Sequence, residues 1–272
     1  MRVVVTGAKG YIGTQVVNLL SQKSGLQLIP MDIEEWDIRQ ASKDIAPDID
    51  VVVHLAALVK VGESVQRPTA YFYTNTVGTK NVINRFPNAK FIFASTGAAY
   101  DPTSPYALSK VAAEDIVKEN CSDYTIFRFF NVGGRTPTNP EGLYAATQNA
   151  IESKKFTIFG NDYNTPDGTC IRDYIHVSDL AEAHISALNN LKNINGHLPL
   201  NVGLGKGITV LELIKIFEKV NKVKVPYKIS RPRKGDIPIS YSSNEKILKF
   251  LHWIPKKSYE QMCFDAWQGR RN

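Results

Sequence analysis

Thr6-Gly7-Ala8-Lys9-Gly10-Tyr11-Ile12-Gly13 is the stretch whose reading decides the fold. It follows Val3-Val4-Val5, a β-branched run suited to a short strand covered on both faces. It precedes Tyr11–Leu20, where Ile12, Val16, Val17, Leu19 and Leu20 read as the apolar side of a helix. Glycines spaced GxxGxxG between a strand and a helix have separate jobs. Gly7 permits a tight turn, Gly10 lets the backbone approach a pyrophosphate, and Gly13 lets the helix pack on the sheet. The helix N-terminus then offers amide N–H groups and partial positive charge to the phosphates. Asp32 lies 19 positions beyond Gly13 and ends a second strand, Leu26–Met31. A carboxylate there accepts both ribose hydroxyls of NAD and repels the extra phosphate of NADP. No arginine follows it directly, so NAD is the expected cofactor.

Outward from this motif, strand-like and helix-like runs alternate. Val51–Leu55, Phe91–Ala94 and Tyr124–Phe130 read as strands. Thr76–Phe86 and Pro105–Lys118 read as helices, the second with Ser104 as N-cap and Pro105 at its first position. That order predicts an α/β protein, a Rossmann doubly wound parallel sheet over residues 1–130. From Asn131 the texture changes and Gly133, Gly134, Pro137, Pro140 and Gly142 cluster. Residues 131–272 are therefore expected to form mainly a smaller C-terminal α/β substrate lobe, with some segments free to return to the first domain. Val210–Val220 and Ile247–Leu251 read as helices, and the basic stretch Lys222–Lys234 as a strand followed by a loop.

Composition narrows the class. No apolar run approaches the roughly 18–20 residues that span a membrane. The chain opens directly on a strand, with no basic region, apolar core and cleavage site of a secretory signal. Cys121, Cys170 and Cys263 are odd in number, widely spaced and free of a CxxC, which argues against disulfides and zinc and for a cytoplasmic protein. Net charge is +7, a value that serves solubility or attraction to anionic small molecules without requiring nucleic acid. His54 and His176 lie in no metal-like cluster and read as structural histidines; no metal site is expected.

The chemistry gathers in one region. Tyr106 and Lys110 are spaced i, i+4 and share a helix face. A phenol with a pKa of about 10 is a poor base at neutral pH. A neighbouring ammonium and a positive nicotinamide ring both favour phenolate. Thr96 follows the fourth strand, at the end where such sheets place ligands, and its hydroxyl can bridge a substrate hydroxyl and Tyr106.

Several stretches now resemble the UDP-glucose 4-epimerases, members of the extended short-chain dehydrogenase/reductases. They are TGAKGYIG, VVVHLAALVKVGESV, FIFAST, SPYALSK, FRFFN, TIFGNDYNTPDGTCIRDYIHVSDLAEAH and RKGDIP, and the similarity runs from residue 1 to about residue 268. The resemblance implies that Tyr106, assisted by Thr96, takes the proton of the sugar 4-OH. Hydride leaves C4 for NAD, the 4-keto sugar turns over, and hydride returns to its other face. Lys110 would hold the nicotinamide ribose and tune Tyr106. Cofactor contacts would fall on Tyr11, Ile12, Asp32, Asp37, Ile38, Leu55, Ala56, Ala57, Asn75 and Phe130, beside the three glycines. Substrate contacts would fall on Asn131, Phe159, Arg172, Arg233 and Asp236. Two guanidinium groups suit a diphosphate; the bland alternative for Arg172 is an ion pair with Asp173. Family members are often homodimers.

The chain also departs from the family. It is shorter, with only four residues between Asp32 and Asp37 and five between Tyr100 and Tyr106. Both cuts lie near the ligands, so NAD is expected to be lost more readily than usual. The lysine expected at Val59 stands at Lys60, and the usual Asn-Leu pair is Gly142-Leu143. The bulky gatekeeper position aligns with Ser240, with Tyr241 adjacent. If Ser240 lines the pocket, the freed volume would admit an N-acetyl group. A 4,6-dehydratase needs an Asp-Glu pair after the threonine, whereas Gly97-Ala98 follow Thr96. A 4-epimerase of UDP-pentoses or UDP-uronates remains open, as does a non-catalytic NAD-binding regulator.

Overall fold

The computed structural model describes residues 1–134, 156–190, 199–233 and 236–269. The first half alternates as its pattern demands: β1 (Arg2–Thr6), α1 (Tyr11–Leu20), β2 (Gln27–Met31) and β3 (Val51–His54). Then come α2 (Val61–Gln66), α3 (Pro68–Phe72), α4 (Gly78–Arg85), β4 (Lys90–Thr96), α5 (Pro105–Asn120) and β5 (Tyr124–Phe129). After it come β6 (Asn131–Gly133), β7 (Phe156–Phe159), β8 (Ile171–Arg172), β9 (Tyr174–His176), α6 (Val177–Asn189) and β10 (Leu200–Val202). The last are β11 (Ile208–Thr209), α7 (Val210–Asn221), β12 (Tyr227–Ser230), β13 (Ile239–Ser240), α8 (Glu245–Leu251) and α9 (Tyr259–Gln268). No helix among the described residues is long and apolar enough to cross a membrane.

The main sheet has the order β10-β5-β4-β3-β1-β2. Its pairs β1/β2, β1/β3, β3/β4 and β4/β5 are parallel. The chain leaves β1 toward one edge and returns to the other side of β1 for β3. The strand order therefore reverses between β1 and β3, where doubly wound sheets open a ligand crevice at the C-terminal strand ends. Val51-Val52-Val53 is fully buried, as a continuous apolar run in a covered parallel strand should be.

The chain divides into two compact units: Met1–Phe129 with Ala181–Asn201 and Glu245–Ile254, and Phe130–Leu180 with Val202–Asn244 and Pro255–Asn272. The core of the first sets Val4, Val52, Phe91 and Phe93 against Val82, Phe86, Ala113 and Val117. The core of the second gathers Leu213, Ile214, Phe217, Met262 and Trp267. Phe217 meets Trp267 edge to face at 6.0 Å.

One expected helix, Thr76–Phe86, differs. The helical run begins at Pro68 and passes through a π-helical turn, Tyr73–Val77, before α4. Polar residues hid this. Thr74-Asn75-Thr76 interrupts the apolar periodicity, yet Asn75 is buried. Arg67 separates α2 from α3 with φ −131° and ψ 51°, because Pro68 disfavours helical geometry in the residue before it. The strand expected in Lys222–Lys234 is confined to β12, which pairs in parallel with β7.

Candidate active site

The glycine motif forms the predicted turn between β1 and α1. Gly7 adopts φ +68°, and a Cβ there would lie 2.8 Å from the Ala56 nitrogen. A Cβ on Gly13 would collide with the Gly7 carbonyl, so α1 folds back on the turn that precedes it at a distance only glycine allows. The α1 N-cap is Gly10, and no side chain caps the helix. A backbone cradle with an uncapped helix N-terminus fits the pyrophosphate of a dinucleotide. Tyr11 and Ile12 are half-buried at this end, and Leu55, Ala56 and Ala57 follow the C-terminal end of β3. Asp32 closes β2, and its carboxylate accepts the Lys9 N–H at 2.7 Å and the Ile33 N–H at 2.9 Å.

Asp37 and Ile38 are already engaged. Arg39 Nε donates to both Asp37 oxygens, at 2.9 and 3.0 Å. That pairing, with Arg39 hydrogen bonds foremost, holds the carboxyl below its usual range. Ile38 is buried in the core, and its carbonyl accepts from Asn81 at 2.8 Å.

Thr96, Tyr106 and Lys110 come together at the end of β4 and on the first turns of α5. Ser104 caps α5 through the Ala107 N–H, with Pro105 in its first turn, as the sequence predicts. Burial, the largest influence, pushes the Tyr106 phenol above its ordinary range, and its interaction with the Thr96 side chain pulls it down. Lys110 is 3% exposed, and its ammonium lies 4.1 Å from the Phe93 ring centroid. Burial lowers it to about 7, against the pull of Glu114. The expectation that a neighbouring ammonium lowers the phenol is thus outweighed here by desolvation of both groups.

A chain of buried hydrogen bonds ties this site to the glycine motif. Thr79 Oγ1 donates to the Asn75 carbonyl at 2.6 Å. It therefore accepts from His54 Nε2 at 3.0 Å, which leaves His54 Nδ1 to accept from the Thr6 hydroxyl at 2.6 Å. His54 is a satisfied structural histidine, and burial, with Lys110 adding, depresses it to about 3. Asn75 is 1% exposed. Its amide oxygen accepts the Leu58 N–H at 2.8 Å, while Nδ2 donates to the Leu58 carbonyl and to Ser109 Oγ, each at 2.9 Å. Ser109 Oγ in turn donates to the Tyr106 carbonyl at 2.7 Å. Asn75, read in the sequence as a cofactor contact, also clasps the loop after β3 to α5.

Sequence reasoning missed two residues here. Tyr71 is fully buried, 6.4 Å from Tyr106 ring to ring, and its hydroxyl accepts the Lys60 N–H at 3.0 Å. Nothing local in the sequence marks it. Glu114 is fully buried and accepts from Ser95 Oγ at 2.5 Å and from Arg128. Its signal was available: Tyr106, Lys110 and Glu114 are spaced i, i+4, i+8 on one helix.

The second unit carries the residues expected to meet substrate. Phe130 precedes β6, whose Asn131 donates from Nδ2 to the Asp173 carbonyl at 2.9 Å. Arg233 lies 4.6 Å over the Phe159 ring and is forked by Asp236, at 2.9 and 3.2 Å. Three of the expected residues therefore form one cluster. Arg172 does not pair with Asp173; it donates to the Ile171 carbonyl at 2.9 Å. Asp173 turns inward to the amides of Leu204 and Gly205, and burial raises it to about 6. Ser240 pairs in register with Arg172. Tyr241 is 54% exposed and lies over Gly207, where a Cβ would meet its ring at 3.0 Å. Gly142 and Leu143 lie outside the described residues. His176, in β9, accepts the Ser178 N–H on Nδ1 at 3.1 Å and faces Asp265.

The sequence model of the NAD dependent epimerase/dehydratase family matches residues 3–203. The chain is 32% identical to the UDP-glucose 4-epimerase of Bacillus subtilis (strain 168), covering 98% of this chain and 96% of that protein. Among solved structures, a UDP-glucose 4-epimerase from Stenotrophomonas maltophila with bound NAD and formylated UDP-arabinopyranose gives a TM-score of 0.89 at 30% identity, covering 100% of this chain and 98% of that one. The UDP-Glc/GlcNAc 4-epimerase from Campylobacter jejuni gives 0.82 at 30% identity, covering 99% of each chain.

Proposed function

The chain belongs to the NAD dependent epimerase/dehydratase family, and from that premise we infer that it is an NAD-dependent isomerase, a UDP-glucose 4-epimerase interconverting UDP-galactose and UDP-glucose. One observation carries the reading. The Tyr106 hydroxyl interacts with the Thr96 side chain, with Lys110 one turn further along α5, and neither residue after Thr96 can act as acid or base. That site can move one proton to and from a sugar hydroxyl but has no acid–base pair to expel water.

The residues present fit NAD. The Gly7–Gly13 cradle and the α1 N-terminus would hold the pyrophosphate, and Asp32 the adenosine ribose. Bound there, NAD supplies the hydride acceptor and donor that inversion at C4 requires. Tyr106 would take the proton from the 4-OH and later return it, with the Thr96 hydroxyl assisting. Lys110 would bind the nicotinamide ribose and, when protonated, offset charge on the phenolate. Arg233, backed by Phe159 and Asp236, and Arg172 would bind the diphosphate, and Phe130 and Asn131 the parts of the ligands nearest the end of β5.

A second substrate is favoured by a specific observation. Ser240 lies beside Arg172 on the adjacent strand, while Tyr241 is engaged over Gly207. A small residue at that position leaves room for an N-acetyl group, so the reading extends to UDP-GlcNAc and UDP-GalNAc. We also read the chain as a homodimer. Phe72, Tyr73, Val77 and Leu108, on the helices 68–85 and 105–120, are exposed apolar residues that a second copy would cover. The three free cysteines suit a reducing cytoplasm.

The test is turnover. Protein supplied with NAD and UDP-galactose should yield UDP-glucose, and Tyr106→Phe should abolish the reaction while keeping the thermal unfolding midpoint. No product from either UDP-galactose or UDP-GlcNAc overturns the reading, and product from UDP-galactose alone overturns its N-acetyl extension.

A further inference from the structure

The turn after β2 holds more negative charge than Asp32 alone. Asp32-Ile33-Glu34-Glu35 places three carboxylates within four residues. Glu35 Oε2 accepts the Asp32 N–H at 2.8 Å, so Glu35 is folded back on the same turn. The glycine motif contributes one cation to this place. The Lys9 main chain touches Asp32 through its N–H, and its ammonium is shared between Glu34 at 3.0 Å and Glu35 at 3.1 Å. Those two carboxylates hold Lys9 above the usual lysine range. The other basic side chain of the segment, Arg39, is forked onto Asp37. A cavity of about 290 Å³ lies beside the pair, lined by Ala8, Lys9, Thr14, Val17, Pro30 and Glu35.

An ammonium next to the ribose-binding carboxylate would ordinarily favour the 2′-phosphate that separates NADP from NAD, because a basic group at this end of β2 accommodates that phosphate. Here it is occupied. We propose that Glu34 and Glu35 are specificity-determining residues that sequester Lys9, so that the site rejects a 2′-phosphate by withholding a cation as well as by the charge of Asp32. The proposal rests on the NAD reading above. It assigns the choice between cofactors to a cluster of four side chains across two chain segments.

Direct binding tests it without any turnover. The full chain, stripped of nucleotide, is titrated calorimetrically with NAD and with NADP as wild type, as Glu34→Gln/Glu35→Gln, and as that double variant with Lys9→Ala. Glutamine at 35 keeps an acceptor for the Asp32 N–H, so the turn is preserved. The expected result is that the double variant binds NAD much as before while its preference for NAD over NADP falls about tenfold, the released Lys9 ammonium being free to pair with a doubly charged phosphate. Adding Lys9→Ala should restore most of the preference. Unimproved NADP binding in the double variant overturns the proposal. So does an improvement that survives loss of Lys9, since it would reflect charge removal and not a released cation. A wild type that binds neither nucleotide would instead overturn the cofactor reading on which this one stands.

Discussion

Glu114, on α5, and Arg128, on β5, form an ion pair: Glu114 is fully buried, and the half-buried Arg128 guanidinium reaches its two oxygens at 2.8 and 2.6 Å. Tyr100 covers the outer face of the guanidinium, 4.5 Å from ring centroid to Arg128. The pair joins α5 to β5, and Ser95, the neighbour of Thr96, donates to the same carboxylate. It therefore fixes the distance between the strand end that carries Thr96 and the helix that carries Tyr106.

Breaking it from the arginine side strands a buried carboxylate. Arg128→Ala should cost about 3–5 kcal/mol of unfolding free energy. Removing both partners should cost less than the sum of the single losses, because neither charge is then left alone. Urea denaturation of the two single variants and the double variant checks this, and strict additivity would show that the pair contributes nothing of its own.

Lys110 should carry a stability penalty that function requires. Burial lowers it from 10.5 to about 7 in the folded chain. Between those values the unfolded chain binds a proton that the folded chain does not, so stability rises as pH climbs through that window and the penalty is full below it. Lys110→Met should raise stability near pH 6 by roughly 1–3 kcal/mol, the gap closing toward pH 10. The same change should lower turnover at least about a hundredfold. Denaturation midpoints at both pH values and a kcat measurement decide it.

His54 should make the protein acid-sensitive. It sits at about 3 against 6.5 unperturbed. As pH falls through that interval the unfolded chain takes up a proton that the folded chain refuses. Stability should drop by about 1.4 kcal/mol per pH unit from this group. Asp173, raised to about 6, works in the opposite sense as pH falls toward 3.8. His54→Gln keeps Asp173 and removes the imidazole, so the difference between the two proteins isolates His54. An unchanged slope between pH 6.5 and 4 would contradict the assignment.

The short connection from Asp32 to Asp37 should weaken retention of NAD. It is a tight turn, with the Glu35 and Trp36 amides donating to the Asp32 carbonyl at 3.1 and 2.9 Å, and Trp36 packs edge-on to Phe86. Little chain is left there to cover an adenosine. Nucleotide content of the purified protein should fall on extended dialysis and recover when NAD is added back; full occupancy throughout refutes the expectation.

Much of this architecture was legible where one residue pattern had one physical meaning. The helix Tyr11–Leu20 has its expected bounds, and Val51-Val52-Val53 could only be a covered strand. Ser104 and Pro105 announced the start of α5 because capping is local. The placement of the candidate residues was legible to the same depth. Gly7, Gly13, Thr96, Tyr106 and Lys110 are tied to turns, strand ends and helix spacing. Asn75 was noticed but its task was not, because its partners Leu58 and Ser109 are 17 and 34 residues away. Tyr71 and Arg128 acquire their roles only when distant segments meet, and no local periodicity encodes that. How far burial lowers Lys110 was hidden for a related reason. Spacing shows which groups are neighbours but not how little water surrounds them.

The π-helical turn at Tyr73–Val77 has a consequence for how far this protein tolerates insertion and deletion. Its hydrogen bonds reach five residues back where an α-helix reaches four. In an α-helix each residue advances by about 100°, so positions eight apart drift well off a common line. The wider turn holds Tyr71, Asn75 and Thr79 inward together, and all three are buried. The helix thus works as a ruler whose marks fall on Lys60, Leu58 and His54 in turn. Removing one residue between Tyr73 and Val77 would leave a regular helix in which Tyr71 and Thr79, then seven apart, stay within about 20° of one line while Asn75 falls about 40–60° away from one of them. A drifting lineage could change most side chains along this helix and still fold, but it could not change their number.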